Sequence, residues 1–293
     1  GVEHPSVAAL NELGYAAATL GNHEFNYGLP YLGEVMNDAE FAWVNANVRD
    51  AATGENYFKP FEIIEQTVVD EDGEQHTVNV GVTGIVPQQI LGWDAAHLTG
   101  KVTVDAPLDA LQAVIPQMEQ AGADVIVVLA HSGIGSDEYV AGTENVGYQI
   151  AALEGVDALI TGHSHGQFPG DYADLENVDT DKGTINGTPT VMPGAYGSHL
   201  GVIDLQLELD GEEWSVNDGK AEIRSIEREG LTPDEGVLSV IQEAHEGTIE
   251  YIREPVGETL APINSYFSLV QDASSIEIIT AAQTAYIKKQ IEG

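Results

Sequence analysis

Cysteine is absent from this 293-residue chain, and basic residues are scarce. Without cysteine there can be no disulfide framework and no thiolate metal site, although this absence does not fix the cellular compartment. Only 10 lysines and arginines stand against 48 aspartates and glutamates, so the formal net charge is −38. A surface of this sign repels nucleic-acid backbones and anionic membranes, so we expect no nucleic-acid binding by charge.

Long apolar runs are also missing. No run approaches the roughly 18 residues of a membrane span, so we expect no membrane span in this chain. The hydrophobic content of 43% is nevertheless normal for a protein with a globular core. The acidity is typical of proteins dissolved in concentrated salt, where charges are screened over about 3 Å at 1 M. We therefore interpret the source as a halophile.

Helix and strand patterns alternate first, and strand patterns then follow one another. Apolar spacing predicts helices over Pro5–Leu13 and Pro107–Ala121, and the continuous apolar run Val125–Ala130 predicts a strand buried on both faces. The other predicted helices are Leu29–Met36, Asn145–Leu153, Pro233–Arg253 and Ile276–Ile291. The other predicted strands are Ala16–Leu20, Phe41–Val48, Phe61–Val69, His76–Val86, Ala158–Thr161, Leu200–Leu209, Trp214–Asn217 and Ala221–Ile226, with a hairpin in Thr184–Met192. This order favours an α/β fold in which two sheets form a sandwich covered by helices.

Three of the apolar strands run directly into polar, ligand-type residues. The strand at Ala16–Leu20 is followed by Gly-Asn-His-Glu at 21–24, the strand at Val125–Ala130 by His131, and the run at 158–162 by His163-Ser164-His165. Open α/β sheets place their chemistry at the carboxyl ends of strands. We therefore expect these three strand ends to meet.

The residue types at these ends suit a transition-metal site. Imidazole nitrogens and an amide oxygen together favour Zn²⁺, Mn²⁺, Fe or Co over Ca²⁺ or Mg²⁺ alone. Two histidines separated by one residue, such as His163 and His165, serve two adjacent ions more readily than one. A pair of ions about 3.5–4 Å apart clamps the attacking and leaving oxygens of an in-line phosphoryl displacement. His23 follows Asn22 directly and points another way, so it could stabilise charge or protonate the leaving oxygen.

These motifs resemble a known family. Gly-Asn-His-Glu at 21–24, Ala-His-Ser-Gly at 130–133 and Gly-His-Ser-His at 162–165 are similar, in order, to the later motifs of the calcineurin-like metallophosphoesterases. Within that superfamily the chain resembles the 5′-nucleotidase group, and most of all its secreted 2′,3′-cyclic-nucleotide 2′-phosphodiesterase/3′-nucleotidase branch. The likeness to the branch rests on residues 21–28, 182–187 and 257–271.

The resemblance implies a two-sheet α/β/β/α sandwich and a nucleotide phosphohydrolase with two divalent metal ions. It implies that Asn22, His131 and His163 hold one ion, that His165 binds the other, and that His23 is the catalytic histidine. A hydroxide bridging the ions would attack phosphorus. In 5′-nucleotidase relatives an aspartate commonly occupies the place of Asn26 and pairs with that histidine, a negative charge that asparagine cannot supply.

A domain plan follows from the same resemblance. It divides the chain into a metallophosphoesterase domain over 1–231, a linker helix over 232–254 and the start of a C-terminal nucleotidase domain over 255–293. The chain opens without methionine, so we expect the family's Asp-x-His and Gly-Asp motifs before Gly1 and the base-stacking domain to continue after Gly293. This chain alone is then expected to be inactive. For the intact protein we expect a monomer in the periplasm, outside the cell or at its surface.

Two other functions stay open at this point. One is a 5′-nucleotidase or UDP-sugar hydrolase, and the other is a non-catalytic secreted binding module that retains the fold. Among the remaining side chains, Glu24 is interpreted as a structural hydrogen-bonding residue, Trp43 and Trp93 as core, and Tyr27 and Tyr31 as packing residues.

Overall fold

The computed structural model describes residues 3–211, 213–226 and 230–292. Its helices are α1 (Pro5–Glu12), α2 (Leu29–Asn37), α3 (Ile90–Trp93), α4 (Ala95–Leu98), α5 (Pro107–Gln120), α6 (Gly147–Ile150), α7 (Glu235–Ile252) and α8 (Ser274–Glu292), with a 3₁₀ helix at His23–Phe25. Its strands are β1 (Ala17–Thr19), β2 (Ala42–Val44), β3 (Val48–Asp50), β4 (Phe61–Val69), β5 (Gln75–Ile85), β6 (Val102–Val104), β7 (Val125–Ala130), β8 (Ala158–Thr161), β9 (Gln167–Phe168), β10 (Val178–Asp179), β11 (Thr184–Ile185), β12 (Thr188–Pro193), β13 (His199–Asp210) and β14 (Glu213–Ser225).

The largest sheet has the strand order β10-β11-β12-β8-β7-β5-β4, with β9 paired to β12. Its centre is parallel, because β5 pairs with β7, β7 with β8 and β8 with β12 in that sense. Strands buried on both faces must be apolar on both faces, which is why the continuous apolar run of β7 lies in the middle of this sheet.

Register brings two of the predicted strand ends together. Ala130 at the end of β7 pairs with Thr161 at the end of β8, so the residues that follow both strands leave the sheet side by side. The third end belongs to β1, which pairs in parallel with β2 outside the large sheet. Thr19 of β1 packs on the backbone of Gly84 in β5, where any side chain would collide with it. This close approach brings the end of β1 to the same edge.

Two apolar clusters support these elements. One packs α5 against the large sheet and includes the fully buried Leu111 and Met118. The other contains Leu20 and Phe25, which are also fully buried and lie on either side of the turn at 21–24. Burying side chains of this size contributes about 1.5–3 kcal/mol each. The turn that carries Asn22 and His23 is therefore anchored at both ends.

The α/β class is confirmed, with a difference in the sheets. Among the described residues, hydrogen bonding groups the strands into four sheets rather than two, because β1–β2, β3–β6 and β13–β14 each pair separately from the large sheet. The hairpin at Asn186-Gly187 is confirmed, since Ile185 pairs with Thr188 across it.

Two predicted elements have the wrong extent. The strand predicted over Phe41–Val48 is broken into β2 and β3, because the Asn45 side-chain oxygen accepts hydrogen bonds from the backbone N–H groups of Asn47 and Val48 and turns the chain. The helix predicted over Asn145–Leu153 is only the single turn α6. Its predicted first residue is held outside the helix, since the Asn145 side chain accepts a hydrogen bond from the N–H of Gly133.

Other local predictions were also wrong. The two strands predicted over Trp214–Asn217 and Ala221–Ile226 are one long strand, β14, paired along its length with β13. Trp93 is not a core residue, because 48% of it is exposed. Tyr27 and Tyr31 are exposed as well, although their rings pack on each other with centroids 5.4 Å apart.

The chain divides into two compact units, of which one ends at Ile241 and the other begins at Gln242. The division falls inside α7, whose bounds lie within the predicted linker helix over 232–254. The three-part domain plan itself stays a prediction. Among the described helices, none combines the length and the apolar composition that crossing a bilayer requires.

The buried carboxyl of Asp157 gives a prediction about the stability of the fold. Burial raises its pKa, the hydrogen bond from the Ile126 N–H opposes this, and the Glu119 carboxylate adds to the rise. A raised folded-state pKa means that Asp157 stabilises the fold fully below its unfolded value near 3.8 and loses this contribution as pH rises through the folded value. We expect Asp157→Asn, which keeps an acceptor for Ile126, to raise the melting temperature relative to the native chain at neutral pH.

Thermal unfolding of both proteins across this pH range measures the effect. The difference in melting temperature should grow from acid to neutral pH. A difference that is independent of pH would show that ionisation of Asp157 has no part in stability.

Candidate metal centre

Three of the predicted ligands point their donor atoms at one another. Asn22 Oδ1 lies 2.8 Å from His131 Nε2, and His131 Nε2 lies 3.3 Å from His163 Nδ1. The two imidazole rings are tilted, with centroids 5.0 Å apart. The three side chains come from three separate loops, each of which follows a strand. The sequence-based expectation that these strand ends meet is therefore confirmed by the geometry.

The position of Asn22 depends on a closed turn. The Glu24 carboxylate accepts a hydrogen bond of 2.6 Å from the N–H of Gly21, which confirms its structural interpretation. Gly21 has to lack a side chain, because a Cβ there would lie 2.6 Å from Cε1 and 2.7 Å from Nδ1 of His131. The backbone of this turn thus lies directly against the imidazole of a predicted ligand.

His131 has an environment that suits a neutral ligand. Burial, together with smaller contributions from charge repulsion by His163, His23 and His165, lowers its pKa to about 4. At neutral pH its ring is therefore uncharged, the protonation state in which histidine binds metals. The same effect places His163, His23 and His165 within electrostatic range of His131.

His163 is oriented by a second side chain. Its Nε2 contacts the Glu144 carboxylate, while its Nδ1 faces His131. A carboxylate only accepts hydrogen bonds, so Nε2 carries the proton and Nδ1 keeps its lone pair for the centre. Carboxylates that hold ligating histidines in this way are common at metal sites. The ring of Trp93 also packs on His163, with centroids 5.7 Å apart.

His165 is placed differently from the other three predicted ligands. His163 and His165 both have left-handed backbone conformations, with φ of 62° and 60°. Such values are uncommon outside glycine and cluster at functional sites. The exposed His165 ring packs against Tyr196, with centroids 6.1 Å apart. The bent backbone therefore directs the two histidines to different neighbours.

His23 makes its side-chain hydrogen bond outside the metal-type cluster. It begins the 3₁₀ helix directly after Asn22, and its Nδ1 lies 2.8 Å from Asn26 Oδ1. The Asn26 amide nitrogen in turn lies 3.1 Å and 3.3 Å from the two carboxylate oxygens of Asp94. His23 thus belongs to a chain of three polar side chains rather than to the cluster at Asn22.

The donor set fits a divalent transition metal. An amide oxygen and two imidazole nitrogens converge at one point, and one imidazole is kept neutral by burial. These donor atoms thus lie close together, and their assignment as metal ligands stays a prediction.

Comparison with known proteins gives the family. A profile of calcineurin-like phosphoesterases matches residues 3–167, more than half of the chain. The chain belongs to the calcineurin-like phosphoesterase family. Members of this family are metal-dependent.

The chain is 43% identical over 296 residues to the 2′,3′-cyclic-nucleotide 2′-phosphodiesterase/3′-nucleotidase of Salmonella typhimurium, an alignment covering 99% of the chain and 46% of that protein. It is 45% identical over 291 residues to the trifunctional nucleotide phosphoesterase protein YfkN of Bacillus subtilis, covering 99% of the chain and 20% of that protein. A crystal structure of the calcineurin-like phosphoesterase YfkN from Bacillus subtilis matches with a TM-score of 0.83 and 44% identity, over 86% of this chain and 76% of that one.

A more distant relative is the 5′-nucleotidase of Diplobatis ommata, 28% identical over 276 residues, which cover 87% of the chain and 42% of that protein. The chain thus spans less than half the length of these curated relatives.

A second group of metal-type side chains lies elsewhere in the chain. The donor atoms of Asp70, Glu74 and His76 lie within 4.8 Å of one another on the hairpin between β4 and β5. His76 Nε2 lies 2.8 Å from Asp70, and together with the Glu74 and Asp72 N–H groups it lowers the pKa of the Asp70 carboxyl. These contacts close the hairpin turn, and exposed acidic groups of this kind are common without a metal. We therefore assign no ion to them.

Asp94 and Glu144 were missed by the sequence reasoning. Asp94 is 68 positions from its partner Asn26, and Glu144 is 19 positions from His163. Neither belongs to a strand-end motif, and no sequence spacing marks such pairs. The departure at Asn26 was the one available signal, since it left His23 without a direct carboxylate.

Glu144 gives a prediction about metal affinity. In the intact protein, we expect Glu144→Ala to weaken binding of Mn²⁺ or Zn²⁺ by about 10–100-fold, because His163 loses the acceptor that fixes its ring. Isothermal titration calorimetry measures this affinity. Glu138→Ala, an exposed position in the same loop, is the control and should bind as the native protein does. Equal affinities for both variants would contradict the role of Glu144.

Proposed function

We propose that the intact protein is a metal-dependent phosphohydrolase of nucleotides, acting as a 2′,3′-cyclic-nucleotide 2′-phosphodiesterase/3′-nucleotidase. The observation that carries this proposal is the convergence of Asn22, His131 and His163 donor atoms beside His23. The identity of 43% to the Salmonella protein of that name, over 99% of this chain, supports the choice of substrate.

In this proposal the ions are divalent Zn, Mn, Fe or Co. Asn22 Oδ1, His131 Nε2 and His163 Nδ1 hold one ion, and His165 is a ligand of the other. When bound, such ions polarise a phosphoryl oxygen and lower the pKa of a bound water. The left-handed conformations at His163 and His165 support separate ions for these two side chains.

His23 has the catalytic role in this proposal. Its Nδ1 is engaged by Asn26, which leaves Nε2 as the nitrogen available to a substrate. A protonated Nε2 donates a hydrogen bond to the oxygen that leaves phosphorus and transfers the proton as the bond breaks. For a 2′,3′-cyclic nucleotide this opens the ring to the 3′-phosphate, and a second hydrolysis releases the nucleoside and phosphate.

A second candidate is a 5′-nucleotidase or UDP-sugar hydrolase. The 28% identity to the Diplobatis 5′-nucleotidase supports it. Residue 26, however, is asparagine instead of aspartate, and this difference favours the cyclic-nucleotide branch. A non-catalytic binding module is less well supported, because a scaffold has no need for convergent Asn22, His131 and His163 donors.

Substrate assays on the intact, metal-loaded protein separate these candidates. We expect hydrolysis of 2′,3′-cAMP and 3′-AMP to be faster than that of 5′-AMP or a UDP-sugar. A clear preference for 5′-AMP would favour the second candidate. Failure to hydrolyse any of the four, with metal bound, would favour the binding module.

The cellular setting is part of the same proposal. We propose a monomeric protein that acts in the periplasm, outside the cell or at its surface, in an environment of high salt. The net charge of −38 supports the high-salt setting, since dense negative charge is tolerated where it is screened. The two-domain arrangement with a linker helix at 232–254 remains our proposal for the intact protein.

A further inference from the structure

Asp94 is a buried carboxylate next to the proposed catalytic histidine. It is only 7% exposed, and both of its carboxylate oxygens lie within 3.3 Å of the Asn26 amide nitrogen. Within the described part of the chain, no lysine or arginine lies in salt-bridge contact with it. A buried carboxylate is costly unless it is hydrogen-bonded. The hydrogen bonds from Asn26 are therefore the interaction that offsets the burial of the Asp94 carboxylate.

Asp94 also occupies a helix-capping position. Asp94 is the N-cap residue of α4, a position where aspartate ordinarily accepts a hydrogen bond from the first helical N–H groups. No capping bond from this side chain is made here. The carboxylate is directed to Asn26 instead, although the two residues are 68 positions apart. The Asp94 side chain thus does not cap α4 and instead contacts Asn26, the hydrogen-bond partner of His23.

The contact fixes which way the Asn26 amide faces. A carboxylate only accepts hydrogen bonds, so the NH₂ group of Asn26 must face Asp94 and the Oδ1 atom must face His23. The Oδ1 atom, 2.8 Å from His23 Nδ1, is in turn only an acceptor. His23 Nδ1 therefore carries a proton, and Nε2 is the nitrogen that exchanges a proton with a substrate.

We propose that Asp94 is a positioning residue that acts through Asn26 to hold His23 as the Nδ1–H tautomer, with Nε2 directed to the leaving oxygen. This inference rests on the proposed function. In the step it serves, water supplies the new P–O bond and the bond from phosphorus to the ribose oxygen breaks. His23 enters this step protonated on both nitrogens. Its Nε2 proton passes to that oxygen, which leaves the neutral Nδ1–H tautomer facing Asn26, and a proton of the attacking water is released to solvent.

Kinetics on substrates with different leaving groups test the proposal. The 2′-oxygen of 2′,3′-cAMP needs a proton to leave, whereas p-nitrophenolate from bis(p-nitrophenyl) phosphate does not. In the intact protein, we expect Asp94→Ala to lower kcat for 2′,3′-cAMP by about 10–100-fold. The kcat for the nitrophenyl ester should stay within about twofold of native, because general-acid help is dispensable there.

A double substitution provides the rescue. In Asn26→Asp/Asp94→Asn, the carboxylate contacts His23 directly and the residue 94 amide donates to it, so His23 keeps the same tautomer. We expect kcat for 2′,3′-cAMP to return to within about fivefold of native. Asn26→Asp alone places two carboxylates against each other and should not recover to this extent. Asp157→Asn, directly before β8, where the side chain accepts from Ile126 of β7, controls for effects on stability alone.

The outcomes separate this inference from the proposed function. A native protein that hydrolyses neither substrate would overturn both. An active native protein whose Asp94→Ala variant loses both substrates equally, or neither, would overturn only the role of Asp94. A double variant no better than Asp94→Ala would do the same.

Discussion

Replacing Gly21 by alanine is expected to remove metal binding and phosphoesterase activity while leaving the fold intact. The added Cβ would lie 2.6 Å from Cε1 of His131 and 2.8 Å from the Glu24 carboxylate. Carbon atoms in contact stay about 3.5 Å apart. The His131 ring must therefore move by about 0.9 Å to make room for the new Cβ. A misplacement of roughly 1 Å costs on the order of 100-fold in rate, and we expect at least that loss in kcat/KM.

Gly33→Ala is the matched control. Gly33 lies in α2 with nothing within 4 Å of its added Cβ, and alanine favours a helix over glycine by about 1 kcal/mol. This variant should bind metal and turn over substrate as the native protein does. Metal content by inductively coupled plasma mass spectrometry, with circular dichroism for the fold, measures both variants. Native metal content and activity in Gly21→Ala would contradict the proposed contact with His131.

His131→Ala is expected to have the second large effect. His131 lies between Asn22 and His163 and contacts both, so its removal takes away the middle donor of the cluster. Outer-shell partners alone change metal affinity by about 10–100-fold, so loss of a ligand should weaken binding by more than about 100-fold and lower activity in parallel. Equilibrium titration with Zn²⁺ or Mn²⁺ and steady-state kinetics measure the two effects.

The control for this variant is His245→Ala. His245 is an exposed residue of α7, and its loss should change neither metal binding nor activity. At neutral pH, neither a higher protein concentration nor a longer incubation should restore the metal content of the His131→Ala variant. If His131→Ala kept native affinity and activity, the cluster would be an ordinary hydrogen-bonded network and the assignment of metal ligands would be wrong.

The sequence predicted that the three motifs meet because each motif follows a strand. Each motif comes after an apolar run, and the parallel pairing of β7 with β8 then brings His131 and His163 to one edge. The prediction needed only local patterns together with the rule that parallel sheets concentrate polar loops at their carboxyl ends. The placement of Asn22 came from the same rule, although β1 lies outside the large sheet.

Other parts could not be predicted, because they depend on contacts between distant residues. Nothing in the pattern around Trp93 and Asp94 indicates that one is half-exposed against His163 and the other buried against Asn26. The break between β2 and β3 comes from one side chain, Asn45, which bonds to the backbone two and three residues ahead. Such bonds compete with secondary structure and are decided by the surrounding packing.

The central claim is that Asn22, His131 and His163 hold a metal ion. Anomalous X-ray diffraction from crystals of the intact protein grown with Mn²⁺ or Zn²⁺ tests it directly. The account predicts an anomalous peak about 2.0–2.3 Å from Asn22 Oδ1, His131 Nε2 and His163 Nδ1. A peak only at the Asp70–His76 hairpin, or none within reach of these three atoms, would contradict it.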